Sequence, residues 1–307
     1  MCRWFASVCL VMCSSSFALA QAPSEADATA IRTGLADLQK AVAELKQQKR
    51  DERLVADVEV YRVNKPTHRI IHLRDWHYIS KELFAIDHRD EALTDEELDQ
   101  QYHEFLKQVD SVQLEQMTLL RTLIQQHGLK RLFCEGLTST DISNYREKIS
   151  VLKDMEANQI ARLKKQLNEV HELLAESADP DAQVMEDKIL DLLYGFYWRV
   201  VEMGAAGRLL VSGEIEEVLP MEDHELLDQA NPVTQEGRVQ FDAEKVKARR
   251  DAVVKNVLKA RPFGLMILGG DHDLTENVKR VGGGRCEYIR VTLNRYKRVE
   301  EISTSNK

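Results

Sequence analysis

Apolar residues recur along the chain in two rhythms, one helical and one strand-like, and their alternation predicts an α/β domain. Ile31, Leu35, Leu38, Val42 and Leu45 step by four and three residues in turn, a heptad-like stripe over 31–46. It dissolves in the charged run Gln47 to Arg53, so it fits either a short coiled coil or one amphipathic helix lying on the domain. A second helix is announced by Thr94 followed by Glu97, a capping box. Leu98, Tyr102, Phe105, Val109, Val112, Met117, Leu120 and Ile124 then keep helical spacing up to Gly128, a C-cap. A third run over 142–176 carries Leu152, Met155, Ile160, Leu163, Leu167, Val170 and Leu174 amid dense Lys and Glu, and Asp179-Pro180 breaks it. A fourth helix, Met185 to Met203, brings Tyr194, Phe196, Tyr197 and Trp198 together at a spacing that reads as core.

Between the helices lie apolar runs of strand length: Arg69 to Leu73, Arg131 to Cys134, Arg208 to Val211, Glu217 to Leu219, Gly264 to Leu268 and Tyr288 to Leu293. Long helical connections imply crossovers and parallel pairing, and near-continuous apolar character fits a sheet covered on both faces. The expected fold is α/β, a mostly parallel central sheet with flanking helices, a helical insertion over 138–203 and an N-terminal amphipathic helix. The expected limits are a signal segment over 1–20, a tether and helix over 21–62, one domain over 63–300 and a flexible tail over 301–307. The stripes of 31–46 and 142–176 are narrow and their other faces charged, which points to packing or to a homo-oligomer formed through them.

Charge and cysteine usage narrow the classes further. With 51 acidic against 42 basic residues the net charge is −9, which argues against a nucleic-acid binder, whose affinity rests on neutralising phosphates. Arg3, the apolar stretch Trp4 to Met12 and the small-x-small Ala18-Leu19-Ala20 read as a secretory signal cleaved after Ala20. A lipoprotein reading competes through Leu10-Val11-Met12-Cys13, but Met12 is bulky where such sites take a small residue. No later stretch has the length of a transmembrane helix, so the expected product is exported, periplasmic or extracellular. Three of the 5 cysteines leave with the signal, and Cys134 and Cys286, both in strand-like runs, read as buried thiols and not as a disulfide scaffold.

Candidate chemistry lies just beyond the strand-like runs. They are followed by Arg74-Asp75-Trp76-His77, Glu135-Gly136, Ser212-Gly213-Glu214, Pro220-Met221-Glu222-Asp223-His224 and Gly269-Gly270-Asp271-His272-Asp273. Open parallel sheets bind ligands beyond the carboxyl ends of their strands, and His with carboxylates there can hold a divalent metal or do acid–base work. A lone Asp or Glu after a strand is more often a helix cap, the reading that fits Asp273 and the run from Glu222 to Glu225. His68, His88, His103, His127 and His171 fall in polar or helical surroundings and read as surface residues. His77, Glu135 and His272 stand out: each follows an apolar run, and a buried carboxylate at Glu135 needs a positive partner or an open cleft. Gly269-Gly270 before Asp271-His272 suggests a strand-to-site elbow where another group comes close to the backbone.

A His after the first strand, a Glu ending the second and a late Gly-x-x-His resemble the superfamily that joins TraB, ChaN-type haem-uptake proteins, Tiki proteases and erythromycin esterases. The family's first motif is similar to Gly-Glu-x-His or Gly-x-x-His; here Asp75 stands in for the Glu and Arg74 replaces the Gly. The resemblance covers roughly 66–137 and 200–295 and omits the N-terminal helix and the insertion. It implies a hydrolase of ester or peptide bonds, on a small-molecule or peptide substrate. His77, Glu135 and His272 would serve as catalytic groups or divalent-metal ligands, and Asp75, Asp271 and Glu214 would orient the imidazoles. It equally implies a haem-binding module with His77 or His272 as axial ligand. A catalytically silent envelope scaffold is the third reading.

Overall fold

The computed structural model describes residues 54–176, 180–231, 240–260 and 262–305, and the signal segment, Cys13 and the stripe of 31–46 lie outside them. The chain divides into two compact units. One comprises Leu54–Arg146 and the residues from Met203 onward; the other is Glu147–Glu202.

The first unit is built on strands β1 (Val55–Tyr61), β2 (His68–Asp75), β3 (Arg131–Thr138), β4 (Glu217–Glu222), β5 (Phe263–Gly269) and β6 (Cys286–Leu293). They form one sheet in the order β1-β6-β2-β5-β3-β4. All neighbours pair in parallel except β1, which runs antiparallel to β6 at the edge. The fold is therefore α/β with a mostly parallel sheet and flanking helices. Steps from β2 to β3 and on to β4 run one way across the sheet, while β4 to β5 and on to β6 run back. Because parallel crossovers are right-handed, the two directions place their helices on opposite faces. Helices α2 (Asp95–His127), α6 (Gly204–Val211) and α10 (Asn294–Ser305) cover one face, and α8 (Ala243–Ala260) and α9 (Thr275–Gly282) the other. Shorter helices α1 (Lys81–Asp87) and α7 (His224–Gln229) follow β2 and β4.

Helix α2 begins and ends as its sequence dictates. Thr94 accepts the Glu97 backbone N–H while the Glu97 carboxylate accepts that of Thr94, and Gly128 closes the helix at φ +62°. The α8/α9 face packs the main core, with Ile70, Phe133, Met221, Val253, Val254, Val257, Met266 and Leu268 buried together. Within it His72 sits fully buried: its Nε2 lies 2.9 Å from the Leu268 carbonyl and its Nδ1 2.7 Å from the Tyr288 hydroxyl. Burial pushes its pKa down to about 3, against the opposing pull of the Leu268 carbonyl, so the imidazole is neutral and both ring nitrogens are satisfied.

Several expectations are corrected. Arg208–Val211 is not a strand but the end of α6, because Ala205, Ala206, Leu209 and Leu210 are helix formers buried all round, and a short apolar run does not distinguish buried helix from strand. The domain begins at Leu54 and not at 63: the alternating Val-Ala-Asp-Val-Glu-Val-Tyr of β1 pairs with β6 from Val55 to Tyr61. Residues 301–305 are no tail, since α10 continues to Ser305 and is fixed at its start by Glu115 Oε2, which accepts the Arg295 N–H at 2.6 Å. Thr138 to Arg146 stay with the sheet and not with the insertion; Thr138 pairs with Glu222, and Arg146 reaches Glu217 at 2.8 Å. Cys134 and Cys286 are free. They lie on β3 and β6 with β5 and β2 between them, about 14 Å of sheet, far beyond disulfide reach.

The run over 142–176, which belongs to the second unit from Glu147 onward, is helical throughout as α3 (Ile142–Asp154), one π-helical turn (Met155–Ile160) and α4 (Ala161–Glu176). Helix α5 (Pro180–Glu202) starts five residues before the expected Met185, with Pro180 in the first turn where its missing N–H costs nothing. Val170, Ala182 and Ile189 form the hairpin's core with Leu163, Leu167, Leu174 and Leu193. Among the described residues no helix is long and apolar enough to cross a membrane.

Candidate active site

Three neighbouring strands, β2, β5 and β3, deliver the site, and they meet where the crossovers reverse direction. Glu135 is placed by a β-bulge. The β3–β4 register shifts between Cys134 and Thr138, Gly136 takes φ +73°, and the ladder from β3 to β5 stops at Cys134. The Glu135 side chain takes over where that ladder ends: its Oε2 accepts the Gly269 backbone N–H at 2.6 Å.

Glu135 is the hub. Its Oε2 also lies 2.7 Å from His77 Nε2, a close ion pair outside hydrogen-bonding alignment, and its Oε1 accepts from Arg249 at 2.7 Å and from His272 Nε2 at 3.1 Å. Its side chain is only 2% exposed, against 14% for His77 and 12% for His272. On the far side His77 Nδ1 meets Asp75 Oδ2 at 2.8 Å, and Gln116 donates to Asp75 Oδ1 at 2.8 Å and to the Arg74 carbonyl at 3.0 Å. Arg249 is shared with Glu222, at 2.6 and 3.1 Å. The chain Asp75–His77–Glu135–His272 thus spans three strands.

The charges reinforce one another. Burial alone would pull the His77 pKa down, but Glu135 and Asp75 outweigh it and hold it well above the usual value, so His77 is an imidazolium. Burial alone would push Glu135 up, but His77 and His272 hold it well below the carboxylate range. Arg249, likewise desolvated, is held more firmly protonated by Glu135 and Glu222. Asp75, Glu135 and Glu222 against His77 and Arg249 leave one negative charge in excess.

Gly269 is required by this geometry. A Cβ there would lie 2.5 Å from His77 Nε2 and 3.2 Å from Glu135 Oε2, in the gap the ion pair crosses. At Gly270 a Cβ would fall 1.7 Å from the Tyr296 hydroxyl. The close backbone approach read from Gly269-Gly270 is present at both residues. Arg74 is a buried strut. It stacks on Tyr296 at 4.1 Å, donates to the Gly270 carbonyl at 3.1 Å and pairs with Glu300 at 2.7 Å.

His77, Glu135, His272 and Asp75 therefore converge, and two expected members do not. Glu214 lies beyond the end of α6 on the approach to β4, the opposite end of the sheet, paired with Arg121 at 2.7 and 2.8 Å. It was assigned to a strand's carboxyl end because α6 was read as a strand. Asp271 is exposed and joins only through its carbonyl, which accepts from Arg250 at 3.4 Å, so its carboxylate does not orient His272. Arg250 does that instead, its Nε donating to His272 Nδ1 at 3.1 Å. Asp223 and Asp273 are caps, accepting the N–H groups of Leu226 and Thr275, and His224 is turned to solvent beside Asp228.

Arg249, Arg250, Gln116 and Glu222 were missed as site residues. A signal existed for two of them. Arg249 occupies the apolar stripe of α8, four residues before Val253, and Gln116 falls in the α2 stripe between Val112 and Leu120, each a polar residue where the pattern asks for a hydrophobe.

The donor set does not fit a shared metal ion. Both Glu135 oxygens are already engaged, by three hydrogen-bond donors and the His77 imidazole, and the positions a cation would take are filled by the Arg249 guanidinium and the imidazoles. Among the described residues no three of His, Cys, Asp and Glu are set to hold a metal. A haem iron at either Nε2 would have to displace Glu135. The resulting assembly is a preorganised acid–base cluster with one imidazole, His272, whose second nitrogen faces a partly exposed arginine. In comparisons with known proteins, the chain matches no family model, no curated protein and no solved structure.

Proposed function

We propose that this chain is an exported hydrolase of ester or peptide bonds, working through a His/carboxylate site without a step at a metal or haem. The observation that carries the reading is the buried chain Asp75–His77–Glu135–His272 at the strand ends, one imidazole locked as a cation and the other bonded at Nδ1 only to the half-buried Arg250 side chain. His272 is the base. Its Nδ1 takes a proton from water as the water oxygen attacks the carbonyl carbon, and Glu135 at Nε2 stabilises the imidazolium, which the excess negative charge of the cluster accommodates. The same Nδ1–H then protonates the leaving oxygen or nitrogen as its bond to carbon breaks. His77, held by Asp75, and Arg249, held by Glu222, are positioning residues that keep Glu135 ionised and in place. Kinship with the TraB, Tiki and erythromycin-esterase superfamily belongs to the same proposal, supported by Glu135 and by Gly269 to His272, as does export, which rests on residues 1–20.

The test is hydrolysis of a panel of activated esters and peptides by the mature chain, with H272Q and E135Q beside it. The expected result is turnover reduced at least 100-fold by H272Q and unaffected by chelator. Turnover equal in H272Q and the parent, or abolished by chelator and restored by zinc, overturns the mechanism. A second reading is favoured by one observation, the complete saturation of Glu135 by donors: the cluster is a structural keystone of a silent scaffold. No turnover on any substrate, with H272Q and E135Q merely less stable, would establish it.

A further inference from the structure

Four arginines surround the site, and one of them lacks a carboxylate partner. Arg249 is paired with Glu135 and Glu222, Arg74 with Glu300, and Arg290 with Glu59 at 3.0 Å. Arg250 makes only two contacts, to the His272 ring nitrogen at 3.1 Å and to the Asp271 carbonyl at 3.4 Å. No carboxylate among the described residues lies within ion-pair distance of it. Asp273, whose charge acts on Arg250 from beyond ion-pair distance, is turned to the start of α9, accepting from the Thr275 N–H at 2.9 Å and from its hydroxyl at 2.7 Å. Glu135 is already engaged. A half-buried guanidinium bonded only to neutral acceptors is suited to receive an anion, since each of its forked N–H donors gains more from an anionic oxygen than from an imidazole or a carbonyl.

The position of Arg250 gives this preference a chemical meaning. On the proposed function, on which this inference rests, His272 needs Nδ1 free to accept a proton from water. In the resting site that lone pair is occupied by the Arg250 Nε–H. A neutral ester offers only another neutral acceptor and has little advantage over the imidazole. A carboxylate or phosphate oxygen does have one, and engaging it would draw the fork off Nδ1. We infer that Arg250 is the substrate-recognition residue of this site, that the substrate carries an anionic oxygen group (carboxylate or phosphate) beside the scissile bond, and that seating this group on Arg250 releases His272 to act as base. The anion also balances the site: it neutralises Arg250 while the cluster's own excess negative charge is kept for the His272 imidazolium.

The experiment follows the imidazole nitrogens of the full mature chain by nitrogen-15 NMR, with His272 assigned through H272Q. Inorganic phosphate and acetate are titrated separately, at constant ionic strength maintained with chloride. Saturable movement of the His272 Nδ1 resonance is expected with at least one anion, and the arm that saturates at lower concentration names the group. R250Q should weaken that binding at least tenfold and leave Nδ1 at its released position without any anion. R250K, which keeps the charge but not the fork, should bind with intermediate strength and serves where R250Q does not fold. No movement of His272 with either anion, or equal binding by R250Q and R250K to that of the parent, overturns the inference. Failure of the hydrolase reading shows itself separately, as saturable anion binding in a chain that hydrolyses neither neutral nor anionic esters. If both hold, R250Q should lower the preference for an acid-bearing ester over its neutral analogue at least tenfold.

Discussion

Gly269→Ala isolates the central contact of the site. The backbone at Gly269 is outside the left-handed region, so alanine is tolerated there and the effect belongs to the added carbon alone. That carbon would lie 2.5 Å from His77 Nε2, where ordinary contact needs about 3.5 Å, so the imidazole must retreat by about 1 Å. Glu135 cannot follow, because its oxygens are held by Gly269 N–H, Arg249 and His272. Stretching the 2.7 Å ion pair to about 3.7 Å at an effective dielectric near 20 weakens the attraction by roughly 1.5 kcal/mol. Alanine returns up to about 1 kcal/mol by restricting the unfolded chain, which leaves a net destabilisation of about 0.5–1 kcal/mol.

Stability is therefore the less sensitive readout, and the His77 proton the better one. Nearly all of the weakened attraction bears on the protonated form, so the imidazolium should hold its proton roughly tenfold less tightly in the variant. Urea unfolding at neutral pH measures the first quantity, and an NMR titration of His77 the second. A variant with native spectra in which His77 titrates as in the parent would refute the claim that Gly269 exists to let His77 reach Glu135.

Four further outcomes follow, three from the structure and the last from the sequence. His72 takes its proton near pH 6.5 when unfolded but only near 3 when buried, so the unfolded state binds more protons in that window. Stability should fall by about 1.4 kcal/mol per pH unit below 6.5 from this group, and H72Q, whose amide can replace both ring contacts, should show a flatter acid limb in urea titrations. His77 and Glu135 run in opposite directions: the raised His77 contributes stability that is lost as pH rises through its folded value, and the depressed Glu135 contributes stability lost as pH falls below the usual carboxylate range. Arg249→Met strands two buried carboxylates and should destabilise by about 3–5 kcal/mol in urea unfolding, more than any other single change at the site; a loss under 1 kcal/mol would show that Glu135 is held by the histidines alone. On the proposed export, N-terminal sequencing of the processed chain should begin at Gln21, whereas a lipid-modified Cys13 would establish the lipoprotein reading.

What could be read in the sequence was what is local. Thr94, Glu97 and Gly128 fix the ends of α2 through hydrogen bonds within a few residues of each, and the structure has the helix starting at Asp95 and ending at His127. Gly269-Gly270-Asp271-His272 declared a tight approach because only glycine tolerates one. The failures are equally physical. Leu209-Leu210-Val211 is buried on every side, which erases the periodicity that separates helix from strand. Arg249 and Gln116 reach their partners from other segments, 114 residues away for Arg249 to Glu135 and 41 for Gln116 to Asp75, and a single sequence carries no record of such pairings. His72 lies inside an apolar strand where a polar residue looks like an accident, until Tyr288, 216 residues on, supplies its hydrogen bond.

The division of labour between the two histidines follows from which of their nitrogens are committed. His77 has carboxylates at both ends, Asp75 at 2.8 Å and Glu135 at 2.7 Å, and both favour its cation, so releasing its proton would leave two buried charges facing a neutral ring. That makes it a poor base and a good counter-ion. His272 has one carboxylate, at Nε2, and a guanidinium at Nδ1. Of the two imidazoles it is the one with a nitrogen bonded to a half-buried side chain and not to a carboxylate. On the proposed function the fixed pair, His77 with Glu135, sets the field, and the Arg250 contact at His272 is the one an anionic substrate would exchange.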